Sequence, residues 1–168
     1  MLPKKGSLTN WQLFTFPLVL ALAVILLDQW SKIAVLDFFA TQQNMVTVTP
    51  FFNLVLVLNQ GVSFGLLDQG PAMAGVFALI AMGVVTFLIL YLAYIRHMLS
   101  ALAFGLLIGG ATGNVVDRLR LGAVVDFLDF HAFGYHWPAF NVADSAVVIA
   151  VGMLLLQSLV FDKKTRHS

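Results

Sequence analysis

The stretch that decides the fold is GGATGNVVDRLRLGAVVDFLDFHAFGYHWPAFNVAD, residues 109–144, which lies between two long apolar segments. Asp126 follows the first apolar segment, and Asp144 lies where the second one begins. A carboxylate near the hydrocarbon of a bilayer costs free energy, so its presence there indicates a functional role. Because one polar segment joins the two apolar ones, we expect both aspartates to lie at the same membrane face.

The composition is that of a polytopic membrane protein. Of the 168 residues, 60% are hydrophobic and 10% are charged, whereas a soluble domain carries roughly 25% charged residues. The length suits one domain over residues 1–168, and the net charge of +1 gives no indication of nucleic-acid binding. The chain has no cysteine, which excludes disulfides, thiolate metal sites and a cysteine nucleophile. It also has no glutamate, so all eight carboxylate side chains are aspartates.

Four apolar segments are long enough to cross a membrane as helices. We place the spans at about residues 12–30, 73–95, 99–116 and 140–160, because a spanning helix needs about 20 residues. The first span resembles the hydrophobic region of a signal peptide, but it ends in DQWSK at 28–32 and not in a small-residue cleavage site, which favours a retained helix. Small residues in the third span predict close packing against a neighbouring helix: Gly105, Gly109, Gly110 and Gly113.

Residues 33–72 form the longest segment without a spanning helix, and they carry strand signals. Residues 46–49 alternate apolar and polar side chains, as a half-buried strand does. Residues 51–58 are apolar but too few to span, Asn59-Gln60-Gly61 is a turn signal, and residues 63–67 predict a short interfacial helix. The predicted fold is therefore membrane α-helical, with four transmembrane helices, a small sheet on one membrane face and a short interfacial helix.

The basic residues predict the orientation in the membrane. They precede the first span, lie between the second and third, and follow the fourth: Lys4, Lys5, Arg96, Lys163, Lys164 and Arg166. By the positive-inside rule these three places face the cytoplasm. Both termini are then cytoplasmic, and the segments at about 31–72 and 117–139 are extracytoplasmic. Seven of the eight aspartates lie on the extracytoplasmic side, so we expect the polar chemistry there.

Asp126 and Asp144 are candidates for a catalytic pair. Each one alone also has a structural interpretation: Asp144 as a helix cap, where the dipole favours negative charge, and Asp126 as a hydrogen-bond acceptor. Two adjacent carboxylates do not both ionise readily, so they share a proton. One then acts as general base on a water while the other, protonated, polarises a scissile carbonyl. The pair therefore indicates a membrane-embedded aspartic protease, a chemistry that needs water but no cofactor.

Five sequence blocks occur in a fixed order along the chain. They are DQWSK at 28–32, NQGVSF at 59–64, GGATGNVVDR at 109–118, GAVVDF at 122–127 and PAFNVAD at 138–144. Through these blocks the chain resembles the lipoprotein signal peptidases (signal peptidase II) over nearly its whole length. Any one block is a weak signal, but five in the family's order on four spans make a specific match. No motif position departs from the family, which takes alanine or serine where Ser63 stands.

The resemblance implies a fold, a reaction and a location. The fold is a four-helix membrane domain with a small extracytoplasmic β-cradle, and the enzyme is an endopeptidase with Asp126 and Asp144 as its dyad. The substrate is a diacylglyceryl-modified prolipoprotein, cleaved just before its lipidated cysteine. The cyclic peptide globomycin is expected to inhibit by occupying the substrate groove. The protein is expected in the bacterial cytoplasmic membrane, surrounded by membrane lipid, where a monomer suffices for the chemistry.

The resemblance also implies a substrate groove, lined by Asn59, Gly61, Asn114, Arg118 and Asn141. For Arg118, a structural role such as an ion pair with the neighbouring aspartate at 117 is an equal alternative.

Other polar residues are expected to support the site or to lie outside it. Asp28 and Lys32 are four residues apart on one helix face, which predicts an ion pair. Such pairs stabilise a helix by about a few tenths of a kcal/mol. Asp117 and Ala143 are assigned the same supporting role. The remaining aspartates of the extracytoplasmic side are interpreted as solvated or loop charges: Asp37, Asp68 and Asp129.

Three further hypotheses compete with the peptidase. His131 and His136, near Asp129, suggest a metal site, but no HExxH motif is present and the loop does not guarantee convergent ligands, so no metal is expected. The aromatic residues around them are more typical of an interfacial belt. A small transporter or proton-relay protein is the main alternative, because membrane aspartates often relay protons. A transporter predicts charged residues through the depth of the bilayer, whereas the charged residues of this chain cluster at one face. A lipid-binding scaffold without chemistry leaves the paired aspartates unexplained.

Overall fold

The computed structural model describes residues 10–41, 43–61 and 71–165, with side chains for all of these except positions 10, 71, 72 and 160–165. Four helices and four strands follow one another in these residues. They are α1 (Asn10–Phe39), β1 (Met45–Thr49), β2 (Phe52–Asn59), α2 (Pro71–Leu92), α3 (Met98–Leu121), β3 (Val124–Ala132), β4 (Tyr135–His136) and α4 (Val142–Thr165).

All four helices are long enough and apolar enough to cross a membrane. Their outer surfaces are covered by large apolar side chains, for example Leu26 on α1, Leu79 on α2 and Leu156 on α4, each more than half exposed. Contiguous apolar surface of this extent is rare on a soluble monomer, whereas it is the expected surface against lipid. The predicted class, four apolar helices with a small sheet, is therefore confirmed.

The first helix is longer than predicted. It continues past residue 30 to Phe39, because the polar stretch DQWSK lies inside the helix and does not end it. Its 30 residues extend over about 45 Å at 1.5 Å per residue, more than the ~30 Å hydrocarbon thickness. In the last turns of α1, Val35 and Phe39 pack against Phe127 of β3. The sheet is attached to the bundle through this contact.

The other helix boundaries differ from the prediction by five residues or fewer. The main consequence is at α3, which runs to Leu121 and not to about 116. Asp117 and Arg118 therefore belong to the helix, although the sequence placed them at the start of an extracytoplasmic segment. The interfacial helix predicted at 63–67 lies outside the described residues.

The sheet is antiparallel, with the order β1-β2-β3-β4. Strands β1 and β2 correspond to the two predicted strands, shifted by one residue at some ends. Strand β3 was missing from the prediction, although it is the strand that carries Asp126. It pairs with β2 from Phe130 opposite Phe52 to Val124 opposite Asn59. This register sets Asp126 opposite Val57 and brings Asn59 to the same end of the sheet.

Glycines on α3 let three helices approach closely, as the sequence predicted. A Cβ atom at Gly105 would lie 2.5 Å from the Pro17 carbonyl oxygen of α1, and one at Gly109 would lie 2.8 Å from the Ala21 carbonyl oxygen. On the other side, a Cβ atom at Gly110 would collide with the Ala143 carbonyl oxygen of α4. Helix α3 is therefore the centre of the bundle, packed against both α1 and α4.

We expect Gly110→Ala to lower the thermal unfolding temperature in detergent by several degrees. The added methyl group meets the Ala143 carbonyl oxygen and the Val147 side chain, and overpacking of this kind costs about 1–3 kcal/mol. Gly83→Ala on α2 is the matched control, because nothing lies within 4 Å of its added Cβ atom. Equal unfolding temperatures for the two variants would contradict the close α3–α4 contact.

Candidate active site

The two candidate catalytic aspartates come from different elements and meet where the sheet joins the bundle. Asp126 is buried on β3, and Asp144 lies in the first turn of α4. Asn141 caps that helix: its side-chain oxygen accepts the Asp144 N–H at 2.9 Å, and the Asp144 Oδ2 accepts the Asn141 N–H at 3.3 Å. Asp144 is thus part of a reciprocal N-terminal cap and also faces the site through its Oδ1 atom.

Amide side chains connect the two carboxylates. Asn141 Nδ2 donates to Asp126 Oδ1 at 2.7 Å and to Asn114 Oδ1 at 3.2 Å. Asn114 Nδ2 in turn donates to Asp144 Oδ1 at 2.7 Å. Asn59 Nδ2 donates to the second oxygen of Asp126, Oδ2, at 2.9 Å. The structure therefore brings together both predicted aspartates and the three asparagines that the sequence assigned to the groove.

Gly61 contributes to the site through its backbone. Its N–H donates to Asn59 Oδ1 at 2.9 Å, which leaves the Asn59 amide nitrogen directed at Asp126. Its φ of +102° is a conformation that glycine adopts without the steric penalty of a side chain. A Cβ atom there would also lie 2.8 Å from the Phe77 ring. Gly61 thus fixes the orientation of Asn59.

The charge of Arg118 interacts with those of Asp144, Asp126 and Asp117. In the part of the chain that the structure describes, Arg118 makes no ion pair with Asp117 within 4 Å, so Asp117 is not its only partner. Its Nη1 atom donates to the Asn114 carbonyl oxygen at 3.2 Å. Its Nε atom is buried and has no hydrogen-bond partner among the described residues. Arg118 therefore retains a donor for a further ligand.

A buried ion cluster lies beside the dyad. Lys32 Nζ is 2.8 Å from Asp28 Oδ2, 2.7 Å from Asp117 Oδ2 and 3.0 Å from Asn114 Oδ1. The three charged side chains are 0–3% exposed. The predicted ion pair of Asp28 and Lys32 is confirmed. Its expected contribution to stability, a few tenths of a kcal/mol, is wrong, because that figure applies to exposed pairs and this pair is buried together with a second carboxylate.

The ion cluster holds the backbone next to each candidate catalytic aspartate. Asp28 Oδ1 accepts the N–H of Ala143 at 2.9 Å, and Asp117 Oδ2 accepts the N–H of Val125 at 3.1 Å. Ala143 directly precedes Asp144, and Val125 directly precedes Asp126. The supporting role expected for Asp28, Asp117 and Ala143 thus takes a specific form: each supporting carboxylate positions one side of the dyad.

Gln29 is part of this cluster and was missing from the predicted site. Its Nε2 atom donates to Asp117 Oδ1 at 2.8 Å and to the Gly113 carbonyl oxygen at 3.2 Å. Arg120 donates to its Oε1 atom at 3.1 Å. The signal was present, because Gln29 stands inside the block DQWSK between two residues that the prediction did single out.

The surroundings of Asp126 favour its protonated form. Burial raises the pKa of Asp126 to about 6 from an ordinary 3.8, and the neighbouring charge of Asp144 also raises it. Hydrogen bonds from Asn59 and Asn141 and the positive charge of Lys32 act in the opposite direction without reversing the shift. A raised pKa on one member of a carboxylate pair is the condition under which the two share a proton.

Asp129 is not the solvated charge that the sequence suggested. It is buried, it accepts a hydrogen bond from Asn53 Nδ2 at 2.8 Å, and it lies 2.9 Å from His136 Nδ1. Burial raises its pKa, but hydrogen bonds from Asn53 and His136 outweigh burial, so the pKa of Asp129 lies below its usual value. Asp37 is exposed as expected, and Asp68 lies outside the described residues. Among the described residues, no three histidine or aspartate side chains converge as metal ligands would.

Comparison with known proteins identifies the family. The profile of the family described as signal peptidase (SPase) II matches residues 20–160. The chain belongs to the signal peptidase II family. A lipoprotein signal peptidase of Burkholderia vietnamiensis (strain G4 / LMG 22486) is 42% identical over 167 residues, 98% of this chain and 96% of the relative. One from Burkholderia multivorans (strain ATCC 17616 / 249) is 44% identical over 160 residues, 94% of this chain and 92% of the relative.

Solved structures agree with this assignment. One described as a bacterial membrane enzyme superimposes with a TM-score of 0.74 at 29% identity, covering 86% of this chain and 92% of that one. A second such structure gives the same TM-score and identity over 89% of this chain. The resemblance drawn from the five sequence blocks is thus confirmed, and this member of the signal peptidase II family is a multi-pass bacterial membrane peptidase.

In this signal peptidase II, we expect Lys32→Met to destabilise the fold strongly. The change leaves Asp28 and Asp117 buried without their cation, and breaking a buried ion pair costs about 3–5 kcal/mol. Thermal unfolding in detergent measures the loss. Arg120→Met is the control, because Arg120 is exposed and makes a single hydrogen bond, to Gln29, with an expected cost below about 1 kcal/mol. An equal drop in both variants would contradict the supporting role of the cluster.

The raised pKa of Asp126 predicts a pH-dependent difference in stability. The folded state holds this proton more tightly than the unfolded state, so the stability that the proton contributes is full below about pH 4 and is lost as pH rises to about 6. The shift corresponds to up to about 3 kcal/mol. The quantity to compare is the unfolding temperature of the wild type minus that of Asp126→Asn. This difference should be larger at pH 4 than at pH 7. A difference between the two proteins that is constant from pH 4 to 7 would contradict this.

Proposed function

We propose that this chain is an aspartic endopeptidase that removes the signal peptide from diacylglyceryl-modified prolipoproteins, cleaving just before the lipidated cysteine. The observation that carries the proposal is the linkage of Asp126 to Asp144 through Asn141 and Asn114. Membership of a peptidase family supports the reaction class. The same membership weakens the transporter alternative, which has no observation in its favour.

The two aspartates have different roles in the proposed reaction. Asp144 lies at the N-terminus of α4, where the helix dipole favours a negative charge, so it acts as the general base. Burial raises the pKa of Asp126 to about 6, so we assign to Asp126 the proton that the pair shares, and with it a hydrogen bond to the scissile carbonyl oxygen.

The proposed chemistry proceeds in two steps. Asp144 removes a proton from a water, whose oxygen forms a bond to the carbonyl carbon while Asp126 stabilises the developing oxyanion. The carbon–nitrogen bond then breaks, and the proton taken up by Asp144 passes to the leaving amine. No other reactant is required, because the reaction is a hydrolysis.

The neighbouring polar groups provide places for the substrate backbone. A cavity of about 350 Å³ borders Asp126 and is lined on its polar side by Asn59 and Gln60. Arg118 adds the buried Nε donor that has no partner among the described residues. We propose that these groups bind carbonyl oxygens of the signal peptide on either side of the scissile bond, and that globomycin competes for the same groove.

The proposed location follows from the chemistry of the substrate and from the charges. A signal peptide and acyl chains that are already in the bilayer reach the dyad laterally, at the end of the bundle that carries the sheet. By the positive-inside rule that end is extracytoplasmic, with both termini in the cytoplasm. All the groups assigned here come from one chain, so a monomer suffices.

The test is cleavage of a diacylglyceryl-modified prolipoprotein by the purified protein in detergent, with the products identified by mass spectrometry. We expect Asp126→Asn and Asp144→Asn each to reduce the rate by roughly 10²–10⁴-fold, the contribution typical of a general acid or base. Asp37→Asn, an exposed aspartate on α1, should cleave at the wild-type rate. Globomycin should inhibit the wild type.

Each outcome has a defined meaning. A folded wild type that does not cleave would refute the proposed reaction. Cleavage that survives in one of the two dyad variants would leave the reaction in place and overturn the role of that aspartate. Loss of activity in Asp37→Asn as well would mean that the assay responds to any loss of charge and not to the dyad.

A further inference from the structure

Two cavities border the catalytic pair in the part of the chain that the structure describes, and they differ in character. The one beside Asp126 lies against the sheet and is partly polar. The other has a volume of about 430 Å³ and lies on α4, with walls that are almost entirely apolar. It is lined by Trp137, Phe140, Asp144, Ser145, Val148 and Ile149. A carboxylate that carries the chemistry thus forms one end of an apolar cavity.

This cavity opens on the lipid-facing side of α4. Val148 follows Asp144 by four residues and Ile149 follows Ser145 by four, so each lies about one turn further along α4 below a residue that lines the cavity. They are 70% and 56% exposed, as side chains against lipid are. The cavity therefore connects the dyad to the hydrocarbon.

Gly152 continues the same helix face. It is four residues after Val148 and three after Ile149, the spacings of neighbours on one face of a helix, and about 12 Å along the axis from Asp144. Glycine is unfavourable inside a helix relative to alanine, yet a Cβ atom here would meet nothing within 4 Å. Unlike Gly105 or Gly110, Gly152 is therefore not required by packing against another helix. It leaves open space, here called the Gly152 notch, on the face of α4 that also carries Val148.

We propose that this surface, the cavity together with the Gly152 notch, binds one fatty acyl chain of the substrate's diacylglyceryl group. The inference rests on the proposed function. The diacylglyceryl group is attached to the residue that follows the scissile bond, so its acyl chains must leave the dyad within a few bonds and reach hydrocarbon. The α4 groove starts at Asp144, is apolar, and runs in that direction, whereas the cavity beside Asp126 offers polar groups suited to peptide.

The test compares one groove variant with one matched control on two substrates. Gly152→Phe fills the notch, and Gly83→Phe places the same side chain on α2 at another glycine whose Cβ position is open. Each purified protein is given a lipobox peptide that carries either dipalmitoylglyceryl or diacetylglyceryl on its cysteine. We expect Gly152→Phe to raise the KM for the long-chain substrate roughly tenfold, because the added ring occupies the space in which one acyl chain would pack against α4. The kcat, and the KM for the short-chain substrate, should stay at wild-type values.

The control variant and the second substrate define what each result means. Gly83→Phe should match the wild type on both substrates, and all variants should share the wild-type unfolding temperature. An unchanged KM of Gly152→Phe for the long-chain substrate would contradict the acyl-chain site. An equal rise in KM for both substrates would contradict it too, because neither result depends on the length of the acyl chain. In the second case the face is occupied by bulk lipid or by the peptide.

A second variant keeps the inference testable if Gly152→Phe unfolds. Ile149→Trp narrows the cavity itself and should raise the long-chain KM in the same selective way. Failure of the proposed function is distinct from failure of the groove. A wild type that cleaves neither substrate refutes the function, whereas a wild type that cleaves both while the groove variants remain unselective refutes the acyl-chain site alone.

Discussion

The site depends on a lysine that is enclosed where water cannot solvate it. Lys32 is 2% exposed and lies between two carboxylates, Asp28 and Asp117, that are equally buried. A charge in such a place is stable only when it is paired and its hydrogen-bonding groups are satisfied. The pairing fixes α1 against α3, and the same carboxylates accept the N–H groups of Val125 and Ala143. The requirement to neutralise one buried ammonium thus determines where β3 and the start of α4 lie.

The geometry of the aspartate pair depends on that arrangement. Lys32 and Asn141 both contact the side-chain oxygen of Asn114, so the Asn114 amide nitrogen is left to face Asp144. Asn59 and Asn141 hold the two oxygens of Asp126 in the same manner. Donors that are fixed before the substrate arrives need no reorganisation during the reaction, which is the usual source of electrostatic catalysis. The burial of Asp126, which raises its pKa, is the physical basis for the proposed division of roles between the two aspartates.

The site lies at the end of the bundle that carries the sheet. The last turns of α1 contact that sheet through Val35, Phe39 and Phe127. Asp144 begins α4 at that same end, so one side of the aspartate pair faces the strands and the other faces an apolar, exposed stretch of helix. The proposed substrate, which is part peptide and part lipid, matches this division.

The sequence by itself determined the apolar helices, strands β1 and β2, the two aspartates and the asparagines around them, because these follow from local hydrophobic patterns and from motif blocks. It did not determine β3, since a strand without regular alternation is specified by its pairing with β2, some 70 residues earlier. It also ended α1 too early and underestimated the pair of Asp28 and Lys32. The second carboxylate that neutralises Lys32, Asp117, lies 85 residues away on α3. Only the tertiary structure brings such distant charges together, because their contact depends on how α1 packs against α3, and that contact supports the site.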